Sequence, residues 1–150
     1  MKSEVQEAWL EAIAAREHAY APYSGFRVGA AIVMNQAACS GSAPYIVSGC
    51  NVENASYGAT ICAERNAILA AIRQCNIGSA AKERLLFDSL VVVTDEQDAT
   101  PPCAECLQVM AEFCAPDFPI YLANLEGVVK RLLFRDLLPY PFDGSPLQKF

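Results

Sequence analysis

Two short segments constrain this chain more than anything else in it: Cys62-Ala63-Glu64-Arg65 and Pro102-Cys103-Ala104-Glu105-Cys106. Each opens an apolar, helix-like run. Together they offer three thiolates and one carboxylate. A C-x-x-C at a helix start is a compact way to supply two soft donors to zinc, and a third from elsewhere leaves one tetrahedral position for water. That is the arrangement of a catalytic zinc rather than a structural one. Any fold of this chain must therefore bring two helix starts together. Glu64 follows Cys62 by two residues, so it does not share the ligand's direction on a helix. It can still reach the open position as a proton carrier.

The rest of the composition narrows the class. The chain has 150 residues and is 53% hydrophobic, which predicts one domain over 1–150 with a substantial core. No apolar run approaches the roughly 18 residues of a membrane span. The start, Met1-Lys2-Ser3-Glu4, is polar and leads into an amphipathic pattern, so no signal peptide is expected. A net charge of −6 argues against nucleic acid as a partner. Seven cysteines is an odd number, and without an export signal it predicts reduced thiols in a cytoplasmic protein rather than a disulfide framework. Cys39, Cys50, Cys75 and Cys114 read as small buried apolar residues or loop thiols.

Periodicity gives the order of elements. Ser3 and Gln6 have capping-box spacing. Val5, Ala8, Trp9, Ala12, Ile13, Ala19 and Tyr20 then mark one helical face that Pro22 ends. The single histidine, His18, reads as a solvated or hydrogen-bonded surface residue. A strand is predicted over 27–34, where Gly29-Ala30-Ala31 permits close packing of another element. A polar loop over 35–43 and a second, antiparallel strand over 44–52 follow. A helix over 62–75, a central strand over 86–94 and a helix over 103–114 come next. A strand over 118–123, a tight turn and an antiparallel strand over 128–134 close the sheet, before a short helical turn at 135–138. The pattern α-β-β-α-β-α-β-β predicts an α/β fold: a mixed five-stranded sheet flanked by helices.

Four motifs in order carry a family resemblance: Pro22-Tyr23-Ser24-x-Phe26-x-Val28-Gly29-Ala30-Ala31, Gly49-Cys50-Asn51-Val52-Glu53-Asn54-Ala55, Cys62-Ala63-Glu64-Arg65, and Pro102-Cys103-x-x-Cys106-x-Gln108-Val109-Met110. They closely resemble the small, homotetrameric, zinc-dependent cytidine deaminases, and the match runs over about 19–142. The resemblance implies a three-layer α-β-α fold and one zinc per chain on Cys62, Cys103 and Cys106. It implies Glu64 as the proton shuttle and Arg65 as a fixed positive charge against the thiolates. Asn51 and Glu53 would hold the ribose hydroxyls, and Phe26 would line the base pocket. The backbone at Ala63 and the Glu64 carboxylate would read the pyrimidine edge. Tyr57 and Phe142 match positions that reach a neighbouring subunit's pocket, although plain packing also accounts for Phe142. The reaction implied is hydrolytic deamination of cytidine and deoxycytidine to uridine and deoxyuridine in pyrimidine salvage.

Some residues depart from the family pattern. Gly58 stands where proline is usual, Ala104-Glu105 replaces Gly-Ala inside the knuckle, Leu107 replaces an arginine, and Tyr140-Pro141 replaces Gly-Ala. Two other readings compete. One is a deaminase of a modified cytosine nucleoside such as an aminoacylnucleoside antibiotic, against which Asn51 and Glu53 speak. The other is a non-catalytic, zinc-stabilised module, against which Glu64 beside an open zinc position speaks.

Overall fold

The structure, a computed structural model, describes residues 3–39, 44–83 and 85–149. Helix α1 (Ser3–Arg16) leads into strands β1 (Gly29–Met34) and β2 (Ile46–Cys50). Helix α2 (Ala63–Cys75), strand β3 (Phe87–Val93), helix α3 (Ala104–Phe113) and strand β4 (Pro119–Ala123) follow. Strand β5 (Val128–Leu133) and the short helix α4 (Phe134–Leu137) complete the order. The element order matches the periodicity reading.

The five strands form one sheet in the order β2-β1-β3-β4-β5. β1 is antiparallel to both β2 and β3, β3 is parallel to β4, and β4 is antiparallel to β5. The parallel β3–β4 pair is joined by a crossover through α3, and α2 carries the chain across β1 from β2 to β3. Strand alternation divides the core. Ala30, Ile32 and Met34 face α2 and α3, together with Leu90 and Val92. Ala31 and Val33 face α1, together with Val91 and Val93. Side chains of period 2 thus build both faces of a three-layer α-β-α arrangement.

Two glycines set how closely the layers approach. A Cβ on Gly29 would run into the backbone carbonyl of Ala12 and lie 2.8 Å from the Arg16 nitrogen. One on Gly49 would lie 2.6 Å from the Ala67 nitrogen and 3.0 Å from the Ala63 oxygen. The first seats α1 on β1. The second seats the N-terminal half of α2, the segment that follows Cys62, on β2.

The structure corrects the sequence reading in two places. The first helix stops at Arg16, not near Pro22, so Ala19 and Tyr20 are not on its face. Arg16 is buried at the helix end, where its Nε donates to the Arg27 carbonyl at 3.1 Å and its Nη2 pairs with Asp95 at 3.0 Å. The Tyr20 N–H then donates to the Asn51 carbonyl, and Glu53 N–H donates back to Tyr20. These tertiary bonds outweigh the local helical pattern. Second, Cys39 and Cys75 are joined in a disulfide, with Cα atoms 4.8 Å apart, against the expectation of reduced thiols throughout. The chain after β1 folds back over the C-terminal turn of α2, and counting cysteines cannot reveal that approach. Leu107, one of the departures from the family pattern, lies in the core beside Met110. Of the predicted loop over 35–43, residues 40–43 lie outside the described residues, and so does Lys2, the position before the start of α1.

The close approach at Gly49 gives a prediction. Gly49→Ala destabilises the fold by about 1–3 kcal/mol through overpacking, whereas Gly58→Ala, with open space around it, changes stability by less than about 1 kcal/mol. Urea unfolding of the two variants checks this; equal effects would show that the α2–β2 contact is not tight.

Candidate active site

The two ligand-bearing segments become two helix N-termini. Cys62 is the N-cap of α2 and Cys103 the N-cap of α3, both with extended backbone. Their carbonyls accept the first helical hydrogen bonds, from Asn66 N–H at 3.1 Å and Leu107 N–H at 3.0 Å. Cysteine at these caps places sulfur where backbone N–H groups and the helix dipole favour an anion. Cys106, one turn into α3, is buried, Cys62 is half-buried and Cys103 is exposed. The Cys62 and Cys103 sulfurs lie 3.8 Å apart, those of Cys103 and Cys106 3.5 Å apart, and all three lie within 4.8 Å of one another.

These residues fit a zinc ion. Zn–S bonds of about 2.3 Å in a tetrahedron put sulfurs about 3.8 Å apart, close to the 3.8 and 3.5 Å that separate Cys103 from Cys62 and Cys106. The electrostatics agree. Three adjacent thiols cannot all ionise without a cation among them. The neighbouring Cys106 thiol pulls the Cys62 thiol well below its ordinary range, against burial and with help from Arg65 and Cys103. The same proximity to Cys62 drives the Cys106 thiol far up, followed by burial. A divalent cation removes that conflict because all three can then be thiolates.

Glu64 sits in the first turn of α2 on its buried stripe, followed by Ala67, Ile68, Ala71 and Cys75. An acidic residue on an apolar face is desolvated, and that burial pushes its carboxyl up to about 7. Arg65 turns to the other side, with Nη2 at 3.5 Å from the Cys62 sulfur and 3.2 Å from the Glu105 carboxylate.

Asn51 and Glu53 leave the end of β2 beside this centre. The Asn51 amide donates to the Phe26 carbonyl and accepts from Val28 N–H, both at 2.8 Å. Glu53 accepts from the Ser24 hydroxyl and from the N–H groups of Tyr23 and Ser24 at 2.8 and 3.2 Å. The Ser24 hydroxyl is the main reason its carboxyl is held below the usual range. Both side chains fix the 23–28 segment while lining the cleft. The Asn66 amide, bonded to the Cys50 carbonyl at 2.8 Å, ties α2 to the same strand end.

A cleft of about 200 Å³ joins these parts: Phe26, Asn51, Glu53, Ala63 and Glu64 line it with Cys62 and Cys103. Tyr57 is not among its walls. It lies over an adjoining hollow with Ser24 and Glu53, 76% exposed, in edge contact with Tyr23. Phe142 is also outside the cleft and 57% exposed, its carbonyl held by the Gln108 amide at 2.8 Å. His18 is exposed in the turn after α1 and outside the cleft. Sequence reasoning gave no role to Ser24, Thr60, Thr94 and Thr100, which line the cleft too. Ser24 lay within a quoted motif; the threonines carry no local signal, and only the loops after β2 and β3 bring them in.

The chain matches the family model described as the cytidine and deoxycytidylate deaminase zinc-binding region over residues 2–122. It is 42% identical over 137 residues to a cytidine deaminase from Halalkalibacterium halodurans, covering 91% of this chain and 92% of that protein. It is 38% identical over 144 residues to a cytidine deaminase from Sporosarcina psychrophila, covering 96% and 95%. The crystal structure of a cytidine deaminase from Burkholderia pseudomallei superposes with a TM-score of 0.76 at 41% identity, covering 91% of this chain and 98% of that one.

The burial of Glu64 generates a second prediction. Its folded pKa, about 7, lies above the ordinary 4.5, so the metal-free fold favours the protonated carboxyl. That contribution is fully present below pH 4.5 and is lost as pH rises through 7. Glu64→Gln has no such dependence. In chelator-treated protein, wild type should therefore lose stability relative to Glu64→Gln across this range, on the order of 3 kcal/mol. Urea unfolding at both ends of the range measures it, and a gap independent of pH would show a solvated carboxylate.

Proposed function

The chain belongs to the zinc-dependent cytidine and deoxycytidylate deaminase family, and on that premise we propose that it hydrolyses cytidine and deoxycytidine to uridine and deoxyuridine with release of ammonia. The observation that carries this reading is the convergence of three thiols and one buried carboxylate, Glu64, at a single cleft.

Each residue has a distinct task. Cys62, Cys103 and Cys106 hold one zinc, which when bound supplies a Lewis acid able to lower the pKa of a water at the position the three thiolates leave open. Glu64 accepts a proton of the attacking water at its carboxylate and delivers it to ring N3, then accepts the second proton of that oxygen and delivers it to the departing amine. Its desolvated setting, with a carboxyl near 7, suits a group that must both take and give a proton near neutrality. Arg65 offsets part of the thiolate charge, which would otherwise weaken the metal's pull on water. Asn51 and Glu53 orient the ribose hydroxyls, Phe26 packs against the base, and the Ala63 backbone reads the pyrimidine edge. Residues 1–150 act as one domain.

We further propose that the active enzyme is a cytoplasmic homotetramer of pyrimidine salvage with shared active sites. Tyr57 and Phe142 support this, being large aromatics left exposed beside or beyond the cleft, where a neighbouring chain could use them. No helix among the described residues is long and apolar enough to cross a membrane.

Three experiments test these readings. Ammonia release from cytosine, cytidine, deoxycytidine, adenosine and guanine should be confined to cytidine and deoxycytidine. Glu64→Gln should bind zinc and a cytidine analogue yet lose about 10²–10⁴-fold in rate; near-normal turnover would remove Glu64 as the proton carrier. For the shared site, Glu64→Gln and Phe142→Ala chains, each weakly active, should regain part of the activity when co-assembled. A fully active monomer would refute sharing.

A further inference from the structure

We propose that Glu105 is a positioning residue for the metal centre, acting through Arg65 to set how much positive charge reaches the Cys62 thiolate. The inference rests on the reading of Cys62, Cys103 and Cys106 as zinc ligands.

One nitrogen carries the argument. Arg65 Nη2 lies 3.2 Å from Glu105 Oε2, 3.5 Å from Cys62 Sγ and 3.5 Å from the Thr60 carbonyl. The thiolate and the carboxylate therefore draw on the same donor. The inner nitrogen, Nε, is buried without a partner, so nothing at that atom anchors the guanidinium and its outer end sets its position. Arg65 and Glu105 stand in the first turns of α2 and α3, so the pair bridges the two helix starts that carry the ligands. The two partners sit in different surroundings: the Arg65 side chain is 16% exposed and that of Glu105 76%. Glu105 is free of any packing role and acts by its charge.

The direction of the effect follows. A carboxylate on Arg65 withdraws positive charge from Cys62, which keeps more electron density for the metal. The zinc is held more tightly and polarises water less than it would beside an undivided Arg65. Replacing Glu105 by glutamine leaves more of the Arg65 charge to Cys62 and weakens that donor. The small, uncharged residues of the resembled family's knuckle lack this control, and the Ala104-Glu105 departure introduces it. Because one partner is well exposed, the effect is modest, about threefold in zinc affinity.

A double-mutant cycle on the zinc-loaded protein tests this, with affinity read by competition against a chromophoric chelator. Glu105→Gln should raise the zinc dissociation constant about threefold in the wild-type background and leave it unchanged in an Arg65→Gln background, with thermal stability unaltered. Equal effects in both backgrounds, or none in either, overturn the inference. Should Arg65→Gln fail to fold, ionic strength decides: the difference between wild type and Glu105→Gln should vanish near about 0.5 M salt, and a difference indifferent to salt overturns the inference. A wild-type protein that neither holds zinc nor deaminates cytidine defeats the functional reading itself. Zinc and activity without the Glu105 effect defeat only this inference.

Discussion

Three sulfurs within 4.8 Å of one another require the N-terminal turns of α2 and α3 to be held side by side, and most of the architecture serves that requirement. β2 and β3 are both antiparallel to β1, so they run in the same direction and end at the same edge of the sheet. The loops that leave those ends lead into α2 and α3. Ligand sites in sheets of this kind form beyond the carboxyl ends of strands, and the cleft lies there. Gly49 then fixes the height of α2 above the sheet, because a side chain at that position would meet the helix backbone.

The charges at this edge form a graded series. Glu64 is buried and costly to ionise, which keeps its proton exchangeable near neutrality. The thiols conflict over one proton unless a cation joins them. Arg65 is mostly buried and touches the thiolate, while Glu105 stands in water and touches Arg65. A chain of contacts thus runs from exposed Glu105 through the mostly buried Arg65 to Cys62 at the metal position. Low dielectric strengthens the inner links and solvent screens the outer one.

Asn51 and Glu53 carry a double duty. Each has hydrogen bonds to the 23–28 segment and also faces the cleft. The wall opposite the metal position is therefore held by the same polar groups proposed to meet the ribose. Such sharing fixes their geometry before a substrate arrives, which lowers the ordering cost of binding.

Much of this was legible in the chain. The strand over 27–34 was legible as one buried on both faces, because its apolar run offers no polar side. The short turn after β4 required an antiparallel return. Cys62, Glu64, Cys103 and Cys106 were identifiable because zinc chemistry demands those residue types at those spacings. The sequence did not locate the end of α1: the buried Arg16 contacts and the Tyr20–Asn51 bond are long-range and leave no local signature. Nor did it reveal the Cys39–Cys75 disulfide, the burial of Leu107, the threonines of the cleft or the Arg65–Glu105 pair. Local periodicity and donor chemistry are properties of neighbouring residues, so the sequence determines them. Which distant side chains share one dielectric environment depends on how the layers close, and that only the tertiary structure decided.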